Sequence, residues 1–419
     1  MSPRKKQLVF ALAMTALATV TVVAIRRSTT PRMYAYVHRP VQIMGTETEL
    51  TAVARSSRGR MAAAALHSAE KALRDVEARM SQYISASELS RLNASETGQT
   101  IKLSTPTLGL LGISHRIALQ TDGAFDVTCR PILQVWRKAV KKGHPPTDAE
   151  IALAVGLCGW DKIELLSDGA RKRLGGAGVD LGGIAKGFGI DRAVEAMQKA
   201  GVIGGLVNVG GDVRCFGRRP DGGKWRIAVR SAFDPKTNFA VLELAEGSVC
   251  TSGNYQRFFQ IGEERFNHIV DPRTGRPVDQ APSVTVVAPT ATIADAWATA
   301  LSVLGDAGLK IIPPESSIEA MLIIGTPKKQ HVRTTLGFNK LYSQPPTLDA
   351  PKQRHRQNAK SRGRTSQNGH LHRPGSTESR NFTNPSVYTA PEMIKPSLCV
   401  PVISRSRLGS LAASNSLRP

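Results

Sequence analysis

SVTVVAPTATIADAWATALSVLG, residues Ser283 to Gly305, runs from a β-branched segment into an apolar helical pattern that carries Asp295 and Thr299 four residues apart. A spacing of four places the carboxylate and the hydroxyl on one helix face. Both are hard oxygen donors, and a set with a single carboxylate leaves positions for water and phosphate, the way Mg²⁺ is usually held. Zinc would call for His or Cys. The structural alternative is that Asp295 serves as a helix cap or dipole partner and that Thr299 bonds its own backbone.

Outward from this stretch, helix and strand patterns interleave without a repeating βαβ period. Leu66, Ala69, Leu73, Val76 and Met80 recur at steps of three and four, and Leu108 to Leu119 forms a second helical run. It leads into a turn at Gly123, within Asp122-Gly123-Ala124-Phe125-Asp126, that presents an aromatic and acids from a loop. A glycine-rich stretch from Gly175 to Gly187 opens a helix over Ile190 to Ala200. Strand-like runs follow at Leu206–Val209, Trp225–Val229, Ala240–Leu244, Val284–Val287 and Met321–Ile324. This predicts an α+β (mixed α/β) domain rather than a doubly wound one. G-x-G-x-x-G and the Walker A spacing are both absent, so Gly182, Gly183 and Gly187 are read either as a phosphate cradle at a helix start or as an ordinary turn. Ser252 lacks the G-x-S-x-G elbow, which excludes a serine hydrolase of that type.

Charge and composition divide the 419 residues. Of the formal net charge of +23, most lies in residues 1–39 and 344–419. The excess sits in flanks and not on an aromatic-bearing surface, which argues against a nucleic-acid partner. Arg4, Lys5 and Lys6 precede an apolar run from Leu8 to Ile25, and Arg26 and Arg27 follow it. Residues 1–30 therefore read as a signal peptide or signal anchor, which places the rest on the exported, periplasmic side, free or held to the inner membrane by residues 8–25. No Cys follows the run before Cys129, so lipid anchoring is not supported. From 344 to 419 the composition turns to Pro, Ser, Asn, Arg and His, and a disordered basic tail is expected. The five cysteines (Cys129, Cys158, Cys215, Cys250, Cys399) form no C-x-x-C, and no His stands at metal spacing in the sequence. Neither a zinc motif nor a disulfide framework is read.

Five stretches occur in one order: RPVQIMGTETEL (39–50), DGAFDVTCRPIL (122–133), VDLGGIAKGFGIDRAVEAM (179–197) with VNVGGDVRCFG (207–217), TSGNYQRFFQ and HIVDPRTGRPV (251–278), and ADAWATAL (294–301). In this order they resemble the ApbE family of FAD:protein FMN transferases, over about residues 40–330, within a single domain taken as 40–343. The resemblance implies two mixed sheets with flanking helices, and transfer of FMN from FAD to a Thr or Ser hydroxyl of an acceptor flavoprotein, with release of AMP. It places Met44, Tyr83, Ala124, Phe125, Asp126, Asp180, Lys186 and Ile269 around FAD. Asp295, Thr299 and the Gly183 carbonyl are the implied Mg²⁺ ligands. His268 and Asp126 are the candidates for the acceptor's proton. Some members carry a carboxylate just before the Thr of the closing motif, where this chain has Ala298. Core packing is the competing explanation for Met44, Tyr83 and Phe125; a solvated surface role competes for Lys186; and Arg273 could simply pair with Asp271. A Mg²⁺-dependent FAD pyrophosphatase and a non-catalytic FAD-binding or delivery protein are the other function classes compatible with these residues.

Overall fold

The strand Ser283–Ala288 is buried along its whole length, which follows from its place inside a sheet with both faces covered. Val284, Val286 and Ala288 pack on a helical layer, while Val287 faces a second, smaller sheet. The computed structural model describes residues 32–345 apart from 235 and 254–257, together with residues 2, 3, 10, 12, 14, 15 and 19. The expected leader falls largely outside these residues, and the expected tail beyond 345 falls wholly outside them. No helix among the described residues is long and apolar enough to cross a membrane.

Eight strands form the main sheet, in the spatial order Met33–His38, Thr48–Arg55, Gly204–Val209, Asp212–Phe216, Gly247–Gly253, Ser283–Ala288, Glu319–Thr326 and Lys329–Thr334. Every adjacent pair is antiparallel. Over one face lie three helices: α1 (Gly59–Met80), α6 (Ala185–Lys199) and α7 (Ala291–Leu304). Over the other lies a three-stranded sheet of Trp225–Arg230, Asn238–Leu244 and Tyr342–Gln344, whose first strand alternates buried Trp225, Ile227 and Val229 with exposed residues. The remaining helices are α2 (Glu88–Ala94), α3 (Thr105–Gln120), α4 (Arg130–Lys142) and α5 (Asp148–Gly156). The α+β class is the one expected, and the described residues show no Rossmann topology. Where two mixed sheets were expected, the described residues form four, one of eight strands, two of three and a two-stranded hairpin, and their strand pairings are antiparallel.

Helix α7 begins earlier than a cap at Asp295 would require. Thr290 is its N-cap, accepting from the Ile293 N–H, so Asp295 lies in the second turn. A further anchor comes from α6. The buried Asp191 carboxylate accepts from the Ala291 and Thr292 N–H groups (both 2.9 Å), from the Thr292 hydroxyl (2.5 Å), and from Arg214 Nη1 (2.6 Å). These bonds satisfy first-turn donors that a helix leaves orphaned and fix the register of α6 against α7. Asp191→Asn removes the charge that holds Arg214 and is expected to lower stability by about 2 kcal/mol, because hydrogen bonds to charged groups are the stronger ones. Urea unfolding checks this; an unchanged midpoint would mean the cap is dispensable.

Candidate active site at the α6–α7 junction

Gly187 lies directly against the start of α7. A Cβ on it would stand 2.1 Å from the Ala291 carbonyl oxygen, so only glycine lets the first turn of α6 lie against the start of α7. That approach brings the Gly187 N–H to Asp295 Oδ2 at 3.0 Å. The N–H of Gly187 is therefore occupied by a carboxylate, and the residue serves packing rather than a phosphate cradle. Gly182 donates to Asp180 Oδ1 at 2.9 Å, forming the turn that precedes the helix.

Lys186, next to this glycine, is not a solvated surface lysine. Its ammonium bonds Asp212 Oδ2 and lies 3.3 Å from Asp295 Oδ1. Burial opposes its charge, but Asp212 and Asp295 outweigh that and raise its pKa above the ordinary lysine value. Desolvation raises the Asp295 pKa, with Lys186 working against it and Asp212 adding to it. Asp212 also accepts the Thr251 N–H at 3.0 Å, which fixes its carboxylate in place. The sequence reading quoted Asp212 within VNVGGDVRCFG without assigning it a role. The available signal was an acid following two glycines at a strand turn, and Gly210 and Gly211 do have positive φ there.

Thr299 stands one turn beyond Asp295 on the same stripe of α7. A Cβ on Gly183 would lie 3.0 Å from Thr299 Oγ1 and 3.5 Å from Phe125 Cε2, so the Gly183 backbone, the hydroxyl and the aromatic ring converge. The hydroxyl has no hydrogen-bond partner among the described residues, in contrast to Ser302, which donates to the Ala298 carbonyl. Thus the backbone-bonded alternative for Thr299 does not hold. Two buried carboxylates against one ammonium, beside an unpartnered hydroxyl, suit a hard cation with oxygen ligands. Ala298, at the departure from the family pattern, is fully buried in the core between α7 and the sheet.

The other candidates surround α7. Ala124 and Ile269 pack with Val303, four residues beyond Thr299, and Phe125 packs with Ala296 and Ala300. The turn carrying them has positive φ at Asp122 and Gly123, and Thr121 Oγ1 accepts the Phe125 N–H at 3.2 Å. Asp126 caps the short turn Val127–Cys129 by accepting the Thr128 N–H at 2.8 Å, and burial raises its pKa. Met44 bridges two hydrophobic clusters, its methyl group close to Gly189. Packing accounts for Met44 and Phe125 as ordinary apolar residues, but not for Tyr83, which is 82% exposed. Asp180 is tied to Gln82 (2.8 Å) and Arg137 (3.1 Å), and these two bond each other. Neither Gln82 nor Arg137 was singled out in the sequence. His268 is half-buried between the strand Glu264–Asn267 and Ile269. Arg273 does pair with Asp271, through two contacts of 2.9 Å.

Residues 44–322 match the model of the ApbE family. The chain belongs to the ApbE family. It is 33% identical over 282 residues to the FAD:protein FMN transferase of Haemophilus influenzae, covering 65% of this chain and 82% of that protein. Identity to the FAD:protein FMN transferase of Vibrio cholerae is 31% over 261 residues, 61% and 78% of the two chains. The flavin transferase ApbE structure from Vibrio cholerae superposes with a TM-score of 0.64 at 27% identity, covering 74% of this chain and all of that one. The apo flavinyl transferase ApbE of Pseudomonas stutzeri gives 0.65 at 27% identity, covering 74% and 97%.

Proposed function

We propose that this ApbE-family chain is an FAD:protein FMN transferase, moving FMN from FAD to a Thr or Ser hydroxyl of an acceptor protein with release of AMP. The single observation that carries the reading is the convergence of Gly183, Thr299 and Phe125 beside Asp295 and Lys186 at the α6–α7 junction. Asp295, Thr299 and the Gly183 carbonyl would hold Mg²⁺, which supplies charge neutralisation of the FAD pyrophosphate. Lys186, fixed by Asp212, adds positive charge beside it. The partly exposed Met44 would lie against the flavin, the buried Ala124, Phe125 and Ile269 would back it, and the exposed Tyr83 would be free to cover it. Asp180, held by Gln82 and Arg137, would receive polar groups of the nucleotide.

In the transfer, the acceptor oxygen forms a bond to the FMN phosphorus as the bond from that phosphorus to the AMP oxygen breaks. AMP leaves with the electron pair, and the hydroxyl proton passes to a base, for which His268 and Asp126 are the candidates. The main task of the protein is positioning, as in other phosphoryl transfers. Purified protein, FAD, Mg²⁺ and an exported flavoprotein domain should yield AMP together with an acceptor heavier by FMN, and Thr or Ser to Ala in the acceptor should remove the gain. AMP and free FMN formed equally fast without acceptor would favour the pyrophosphatase, and tight FAD binding with no AMP at all would favour a delivery protein.

The leader read from residues 1–30 places this activity on the exported side, so the acceptor is an exported or membrane-bound flavoprotein. A reporter that works only outside the cytoplasm, fused after residue 345, is expected to be active. Activity of a cytoplasm-only reporter at the same position would sink the assignment.

A further inference from the structure

We propose that His38, His67 and Glu70 form a surface site for a divalent transition-metal ion, Zn²⁺ above all, that ties the edge strand Met33–His38 to helix α1. The three come from two elements and belong to none of the groups at the α6–α7 junction. Their candidate ligand atoms all lie within 4.8 Å of one another. His67 and Glu70 are three apart on α1 and so share a face. His38, the last residue of its strand, meets them with Nε2 at 2.6 Å from Glu70 Oε2 and its ring edge-on to that of His67, 5.1 Å between centroids. In a tetrahedral zinc site the N and O ligands lie about 2 Å from the ion and so about 3.3 Å from each other. Small side-chain rotations reach this from the present spacing, and the exposed His67 ring is able to make them.

The carboxylate is already oriented for the role. Arg74 Nε holds Glu70 Oε1 at 2.8 Å, while Arg74 Nη2 bonds the Val41 carbonyl at 3.2 Å, so Oε2 is the oxygen turned to the imidazole. An outer partner of this kind fixes a ligating carboxylate. The His38 hydrogen bond holds the Glu70 carboxyl below its usual range, burial opposes this, and Arg74 adds to it. Two imidazoles and one carboxylate with a fourth position for water suit zinc, whereas magnesium prefers an all-oxygen set. Among the described residues the strand that carries His38 is bonded on one side, to Thr48–Arg55, so a metal bridge to α1 would fasten an edge of the described sheet. Sequence spacing conceals the site, since no short motif links His38 to His67.

Chelator-treated full-length protein, kept in excess Mg²⁺ to fill the oxygen site, is titrated with ZnCl₂ by calorimetry and melted with and without Zn²⁺. Zn²⁺ should bind and raise the melting temperature, and Co²⁺ in its place should show visible d–d absorption bands. His67→Ala should weaken Zn²⁺ by more than about 10-fold, since losing even an outer partner of a ligand costs about that much. The same variant should leave the metal-free melting temperature unchanged, because His67 is exposed. Glu70→Gln should weaken Zn²⁺ in the same way, whereas Asp295→Asn should not. Equal Zn²⁺ affinity in the wild type and His67→Ala would overturn the proposal by placing the ion on the cysteines or the histidines elsewhere, and so would the absence of binding.

Discussion

Asp295→Asn is expected to lower FMN transfer by about 100-fold or more, close to 2.7 kcal/mol of lost transition-state stabilisation, while the protein stays folded. The substitution preserves shape and an oxygen that accepts the Gly187 N–H. It removes the only carboxylate on the stripe shared with Thr299, since Ala298 occupies the preceding position. Stability should change by less than about 1 kcal/mol, because the lost attraction to Lys186 is offset by relief from burying a charge, and Asp212 still holds the ammonium. Two measurements separate a ligand from a structural acid. AMP release in the variant should require a much higher Mg²⁺ concentration, and the rise in melting temperature that Mg²⁺ is expected to give the wild type should be absent. An unchanged Mg²⁺ dependence would remove Asp295 from the metal site and with it the main support for the proposed chemistry.

How much of this was legible in the sequence depended on which physical signal each element carries. Helix α1 was readable because its apolar residues keep a helical period, and Leu66, Ala69, Leu73, Val76 and Met80 are all buried. The central strand Ser283–Ala288 announced itself through β-branched residues, as did the runs around Trp225 and Met321. Helix α4 went unread: its four buried residues, Pro131, Ile132, Trp136 and Ala139, lie among Arg and Lys that mask the period. The strands Asp212–Phe216 and Gly247–Gly253 mix Gly, Ser, Asp and Arg with their apolar residues, and only the sheet makes them strands. At the site, the placement of Asp295 and Thr299 on one face of α7 followed from helical spacing, while their reading as metal ligands came from the family resemblance. Lys186 between Asp212 and Asp295 did not, because contacts across 26 and 109 residues leave no local pattern. Of the cysteines, Cys215 and Cys250 are buried, while Cys129 and Cys158 are only partly covered.

Gly187→Ala tests the architecture that creates the site, and it is expected to destabilise the protein by at least about 3 kcal/mol. The added methyl would stand 2.1 Å from the Ala291 oxygen, 2.5 Å from its carbon and 2.8 Å from the Thr292 nitrogen. All three are backbone atoms, so no side-chain rotation relieves the clash. The carbonyl and the amide are also held in place, the Ala291 and Thr292 N–H groups by Asp191 and the helix start by Thr290. The helices must therefore separate, which stretches the Gly187 N–H from Asp295 and draws Lys186 away from it. A melting temperature lower by about 5 °C or more should accompany loss of transfer, even below the melting range. Gly182→Ala provides the contrast, since its Cβ would meet only the Asp180 carboxylate, at 3.0 Å, and its φ is not in the left-handed region. That variant should keep nearly full stability. If Gly187→Ala melts with the wild type, α6 and α7 do not pack as closely as described, and the convergence of Gly183, Thr299 and Asp295 loses its structural basis.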